Sequence, residues 1–288
     1  MPRKIAVSFE FFPPKSDEGE NTLWNAIRAL EGLAPQFVSV TYGAGGSARD
    51  RTVRLTERIA TETTLKPMGH LTCVGSSVDE LRSVIGDYAA AGVKKILALR
   101  GDPPTELDQS SSGNRQWRPH PDGLTHAVEL VDLVRSLGDF EVGVAAFPEG
   151  HPESRDFEQD INVLLDKQLA GASFAITQIF FHVSDYVRMV DLASKAGVTM
   201  PIIPGVMPIT NVSQIKRFAE LSGADFPADL ATRFEAIASD DMAVQRLGVE
   251  VATEFCDELL AVAAPALHFY TLNRSTSARE VYQALESR

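Results

Sequence analysis

Lys4-Ile5-Ala6-Val7-Ser8-Phe9-Glu10-Phe11 reads as a strand, a short run of β-branched and aromatic residues closed by Phe12-Pro13-Pro14. Behind it the period changes. Ser16 stands where it can cap a helix, Asp17 and Glu18 fall in the first turn, and Leu23, Ile27 and Leu30 recur at helical spacing. The same strand-then-helix unit recurs along the chain, with strand-like runs at 37–42, 67–73, 95–100, 141–147, 174–181, 201–206 and 266–272. After the third run, Ser77-Val78-Asp79-Glu80 forms a capping box. Val78, Leu81, Ile85 and Tyr88 make the apolar stripe behind it, and Gly92 ends the helix. Further stripes are Leu124/Val128/Val131, Phe157/Ile161/Leu164, Val183/Val187/Val190 and Val212/Ile215/Phe218/Leu221. An extra helix at 227–238 and a long one carrying Val244, Val251, Phe255 and Leu259 precede the last strand. The expected fold is α/β, a single (β/α)8 TIM barrel over residues 1–288 with extra helices before its final strand.

Composition narrows the class. Of 288 residues, 44% are apolar and 23% charged, enough for one large core. Lys plus Arg number 27 against 39 Asp plus Glu, for a net charge of −12 that repels a polyphosphate, so no nucleic-acid partner is expected. No apolar run approaches the roughly 18 residues of a membrane helix. Met1-Pro2-Arg3-Lys4 leads into a strand rather than a signal-peptide core, and a cytoplasmic location is expected. Cys73 and Cys256 are far apart in apolar surroundings and read as inert buried thiols.

Barrels of this kind keep their chemistry at the carboxyl ends of the strands, and the polar residues of the chain collect there. Glu10 lies on strand one, Thr41-Tyr42-Gly43-Ala44-Gly45-Gly46 ends strand two, and His70 lies on strand three. Arg100-Gly101-Asp102 ends strand four, Glu149-Gly150-His151 follows strand five, Gln178 lies on strand six, and Tyr270-Thr271-Leu272-Asn273-Arg274 closes strand eight. The stretch from Gly101 to Asp122, rich in Pro, Ser and Gly, is expected to be a long loop on this face. Glu10, beside Phe9, Phe11 and Phe12, is expected to be desolvated, with its pKa raised so that it can donate a proton near neutrality. The competing reading is a structural glutamate paired inside the barrel. Asp102 suits stabilisation of a cation, or is a turn residue ahead of Pro103. His70 and His151 are not joined by a His-x-His pair, so no metal site is expected.

These motifs, taken with Val38-Ser39-Val40, Leu71-Thr72, Pro148, Pro152, Ala175-Ile176-Thr177 and His268-Phe269, resemble the bacterial methylenetetrahydrofolate reductases, in order, from about residue 4 to the end. The resemblance implies an oxidoreductase that converts 5,10-methylenetetrahydrofolate to 5-methyltetrahydrofolate with NADH or NADPH, usually through FAD. By position, Glu10 is implied as the acid that opens the folate ring, Asp102 as the carboxylate on the pterin, and Gln178 as a contact to folate and nicotinamide. Gln214, Phe218 and Arg274 are implied as further folate contacts. Thr41, Tyr42, Ala44, His70, Arg100, Gly101, Asp102, His151, Asp160 and Lys167 match FAD-contacting positions.

The chain departs from that pattern where the flavin is concerned. Phe147 replaces a tyrosine, Val163 an asparagine, and Asp166 stands where the family carries an arginine. A carboxylate beside a pyrophosphate weakens binding more than a lost neutral contact does. Two routes follow: hydride from NADH to FAD to folate, or directly from NADH to folate, with the charge reversal favouring the second. A folate- or dinucleotide-binding barrel without turnover is the alternative of a different class, and a metal-dependent hydrolase a third. Oligomeric state is left open.

Overall fold

The computed structural model describes residues 5–14, 16–42, 46–102, 117–213 and 226–288, with 46–50 as backbone alone. Nine parallel strands form one sheet: β1 (Val7–Phe11), β2 (Phe37–Val40), β3 (Pro67–Thr72), β4 (Lys95–Leu99), β5 (Glu141–Ala146), β6 (Phe174–Thr177), β7 (Ile202–Ile203), β8 (Gly205–Val206) and β9 (Leu267–Tyr270). Their order is β7-β6-β5-β4-β3-β2-β1-β9-β8. Since β7 and β8 are separated by Pro204 alone, the two ends of the sheet are one stretch of chain, and the sheet closes into the expected barrel.

The described helices surround it: α1 (Asp17–Glu31), α2 (Gly46–Glu62), α3 (Val78–Ala90), α4 (Ala127–Leu137), α5 (Phe157–Leu169), α6 (Val183–Ala196), α7 (Ala228–Glu235), α8 (Asp241–Ala261) and α9 (Ser275–Glu286). The local signals are realised. Ser16 accepts from the Gly19 N–H, and Ser77 and Glu80 form the reciprocal capping box. Gly92 takes the left-handed conformation (φ +76) that ends α3.

Three expectations are corrected. The seventh strand is not one piece. Pro204 has no N–H to give a ladder, and the Gly205 N–H goes to the Thr177 hydroxyl at 2.8 Å, so 202–203 pair with β6 and 205–206 with β9. On α4 and α6 the buried stripe is shifted from the residues named above, of which Val131 alone stays in it. It comprises Ala127, Leu130, Val131 and Val134, then Tyr186, Met189 and Ala193. Tyr186 wins burial because its hydroxyl reaches the Ile202 carbonyl at 2.8 Å. Strand six ends at Thr177, so Phe180 and Phe181 belong to the loop after it.

The period of two along each strand divides the core. Val7, Phe9, Phe11, Val38, Val40, Leu267 and Phe269 face outward against helix residues such as Leu23, Ile27 and Leu30. Phe37, Met68, Leu97, Phe174, Ile176, Ile203 and Ala266 form a second apolar cluster inside the barrel. At its lower end Lys95 lies over the Phe37 and Phe174 rings and pairs with Glu141. The inner cluster is a floor, and the side chains one step further along the strands stand on it.

Candidate active site

On that floor the inward positions turn polar. Ser8 and Glu10 come from β1, Ser39 from β2, His70 from β3, and His268 and Tyr270 from β9. Register sets them side by side: Ser8 is opposite His268, and Glu10 is opposite both Ser39 and Tyr270. The Phe37 ring stacks beneath His268 at 5.8 Å, holding the imidazole upright.

Glu10 is 6% exposed, and its Oε2 lies 3.4 Å from Nε2 of both His70 and His268. The other nitrogen of His268, Nδ1, is 2.7 Å from the Ser8 hydroxyl. Both contacts are met when the ring proton is on Nε2, facing the carboxylate, and Ser8 donates to Nδ1. Nε2 of His70 has no hydrogen-bond partner and faces the carboxylate through space. Burial pushes the Glu10 carboxyl up, but His70, His268 and Ser39 outweigh it and hold the group below its usual value. The expectation of a raised pKa is therefore corrected for the free protein. Phe9 and Phe11 point outward, so they bury Glu10 without facing it, whereas the groups that do face it favour its anion. Burial also holds His70 below the usual histidine range, with Glu10 opposing and His268 adding to the fall.

The backbone around this carboxyl is clamped by the turn after β9. Thr271 donates from both its hydroxyl (2.7 Å) and its N–H (3.1 Å) to the Glu10 carbonyl. The Asn273 amide exchanges two bonds with the Phe12 backbone, at 2.8 and 2.9 Å, extending the β1–β9 pairing by a side chain. Leu272 and Asn273 both take positive φ to make this turn. Arg274 follows as an exposed residue at the start of α9.

Gln178 lies just beyond β6, half-buried, its N–H on the Ala146 carbonyl at 2.8 Å and its Oε1 on the Ile179 N–H at 3.0 Å. Asp102 is exposed beyond β4. Thr41 and Tyr42 are half-buried past the end of β2. Ala44, Gln214 and Phe218 lie outside the described residues, as does most of the long loop, 103–116.

The rim over β4 and β5 forms a second cluster. Arg100 makes a two-pronged pair with Glu153, at 2.5 and 3.1 Å, and the Trp117 ring covers its guanidinium at 5.2 Å. Trp117 Nε1 donates to the Gly101 carbonyl at 3.1 Å. Asp160 accepts from the His151 N–H (3.0 Å) and the Ser154 hydroxyl (2.5 Å), latching the loop after β5. His151 stands edge-on to Phe147 at 4.8 Å, held below the usual histidine range by burial and then by Arg100. Lys167 turns inward to the Ala145 carbonyl at 3.1 Å, and burial lowers its pKa to about 8. Val163 and Asp166, three residues apart on α5, are exposed.

Sequence reasoning placed Tyr270 at this face but missed His268, Ser8, Trp117 and Glu153. His268 and Ser8 carried a signal: Ser8/Glu10 and His268/Tyr270 are polar pairs two apart in apolar strands, hence on one face. Trp117 and Glu153 carried none, since their partnership is made only through space. Cys73 and Cys256 are buried, and burial pushes both thiols up, to about 12 for Cys73. Among the described residues no three His, Cys, Asp or Glu side chains gather as a metal-binding group, and no helix is long and apolar enough to cross a membrane.

A family model described as Methylenetetrahydrofolate reductase matches residues 2–286. The 5,10-methylenetetrahydrofolate reductase of Escherichia coli (strain K12) is 41% identical over 272 residues, spanning 94% of this chain and 88% of that one. The protein of the same name from Buchnera aphidicola subsp. Acyrthosiphon pisum (strain APS) is 36% identical over 271 residues, with the same 94% and 88% coverage. Among solved structures, a Clostridium thermocellum protein described as binding two copies of 5-methyl-5,6,7,8-tetrahydrofolic acid superposes with a TM-score of 0.66 at 12% identity, covering 98% of this chain and 94% of that one. A dihydropteroate synthase from Xanthomonas albilineans superposes at 0.51 and 15% identity, covering 99% and 93%. At such identities these two likenesses speak to the barrel fold alone.

Proposed function

Because the chain belongs to the methylenetetrahydrofolate reductase family, we propose that it reduces 5,10-methylenetetrahydrofolate to 5-methyltetrahydrofolate with hydride taken directly from a reduced nicotinamide dinucleotide. The observation that carries the chemistry is the buried Glu10 carboxyl, facing two imidazoles on an apolar floor.

Hydride needs an electrophilic carbon, so the folate ring opens first. The bond between N10 and the bridging methylene breaks as N10 takes a proton from Glu10, leaving the methylene as an iminium on N5. Hydride from the nicotinamide, with its electron pair, converts that iminium to the methyl group, and the nicotinamide leaves oxidised. Positioned acid help of this kind contributes about 10²–10⁴ in rate. In the free protein Glu10 is held as an anion by its neighbours. Substrate that excludes water strengthens the desolvation pushing the carboxyl up, while a neutral His70 weakens the opposing field. The proton spent at N10 is returned from solvent before the next turnover. Asp102 supplies negative charge toward the cationic pterin and Gln178 an amide toward substrate, roles assigned to them by family position.

The residues of the β4–β5 rim do not fit a resident FAD. Its pyrophosphate needs free cations, yet the Arg100 fork is filled by Glu153 and Lys167 is turned into the wall. Asp166, where the family pattern carries an arginine, is an exposed carboxylate on α5 and supplies no cation either. Nicotinamide and folate therefore meet in one ternary complex.

Purified protein tests this. The expected result is a colourless enzyme with intersecting initial-velocity lines against NADH and methylenetetrahydrofolate. A yellow protein with parallel lines overturns the direct route. Glu10→Gln is expected to bind methylenetetrahydrofolate and lose at least about 10²-fold in turnover; near-normal turnover removes Glu10 from its role.

A further inference from the structure

We propose that Trp117 and Glu153 are the specificity-determining plug of this barrel, a side-chain pair that fills the seat over β4 and so excludes a dinucleotide flavin. The inference rests on the direct-transfer reading and assigns that property to two residues that family position does not mark.

The geometry of the pair is that of a seat already taken. Arg100 leaves the end of β4 toward the rim and presents the planar fork that would grip a phosphate. Both of its terminal nitrogens instead reach the Glu153 carboxylate, and the indole of Trp117 lies across the guanidinium. Next to it, Gly101 adopts φ +84, and a Cβ there would come within 2.5 Å of Val74. The backbone thus passes in a conformation reserved to glycine, and its carbonyl is taken by the indole N–H. One tryptophan therefore caps both the cation and the backbone that a phosphate-bearing ligand would approach.

Glu153 is held for this task. Its own N–H donates to His151 Nδ1 at 3.1 Å, and the flanking loop is tied to Asp160 through the His151 N–H and the Ser154 hydroxyl. A carboxylate carried on that fixed backbone, itself half exposed and bound to Arg100, opposes a pyrophosphate by like charge as well as by occupying its partner. The other tryptophan, Trp24, also covers a paired arginine, Arg58 at 3.9 Å with Glu20 and Glu62 on its guanidinium, but it does so on the outer helices rather than at the strand ends.

The test is flavin binding, which needs no turnover. Wild type, Glu153→Gln and Trp117→Ala/Glu153→Gln are titrated with FAD, reading flavin fluorescence anisotropy, with 5-methyltetrahydrofolate binding measured in parallel to show that each barrel is intact. Relieving one like-charge contact and opening the seat is expected to tighten FAD binding by about tenfold or more in the double variant, and to a smaller degree in Glu153→Gln, which keeps the indole packing. Unchanged or weaker FAD affinity in Glu153→Gln and in the double variant, with folate binding retained, overturns the plug while leaving direct transfer standing. If the double variant does not fold, Glu153→Gln decides alone, by the same criterion. Wild type that purifies with one FAD per chain overturns the plug and the direct route together.

Discussion

The hydroxyl of Tyr270, on β9, donates to the carbonyl of Thr177, on β6, at 2.7 Å. Between them lies Gly205, where a Cβ would sit 2.5 Å from the Tyr270 ring and 2.6 Å from that carbonyl. The split seventh strand leaves a gap in side chains there, and the tyrosine lies across it. It ties the strand next to Glu10 to the residue preceding Gln178.

Tyr270→Phe is accordingly expected to cost about 1–3 kcal/mol in stability, since it leaves a buried carbonyl unsatisfied. It should also raise KM for folate more than it lowers kcat, because Gln178 loses its brace while Glu10 keeps its partners. Denaturant melts and steady-state kinetics check both. Unaltered stability together with unaltered KM would show that the bond braces nothing.

The pH profile should report the Glu10 cluster. In the proposed mechanism Glu10 must be protonated for turnover, and the cluster holds its carboxyl below the usual range, so kcat/KM for folate should fall as pH rises through that titration. His70 is one of the groups holding it down. His70→Gln, neutral at every pH, should let the carboxyl rise and move the falling limb to higher pH. A limb that stays in place assigns the titration to another group.

Lys167 predicts a stability effect with the opposite dependence. Burial lowers its folded pKa from 10.5 to about 8, so below pH 8 the folded state carries a buried ammonium that the unfolded chain solvates. Between about pH 8 and 10.5 the unfolded chain binds more protons than the folded one, and stability rises with pH. The penalty at neutral pH is roughly 3 kcal/mol. Lys167→Met should stabilise the protein near pH 7 and flatten that rise, as seen by urea melts at a series of pH values. Destabilisation at pH 7 would mean that the bond to Ala145 outweighs the desolvation.

Much of the frame was legible because its causes are local. The Ser77–Glu80 box and the Leu23/Ile27/Leu30 stripe depend on residues within a turn or two, and both hold. The split at Pro204 was missed although the proline was in plain view. A strand tolerates proline where its ladder is interrupted, and only barrel closure requires an interruption there. At the site, Glu10 was found from its oddity among phenylalanines, yet the direction of its proton affinity came out reversed. The groups that decide it are His70 and His268, the latter 258 residues away.

What the order of amino acids determined by itself was period: which segments coil, which extend, and that Ser8, Glu10, His268 and Tyr270 share the inward face of their strands. What only the closed barrel decided was neighbourhood. Folding brings β1 beside β9, sets one carboxylate between two imidazoles, and spends Arg100 on Glu153 rather than on a ligand. Electrostatic energy depends on distance through space and on the water removed between charges, and neither quantity is written along the chain.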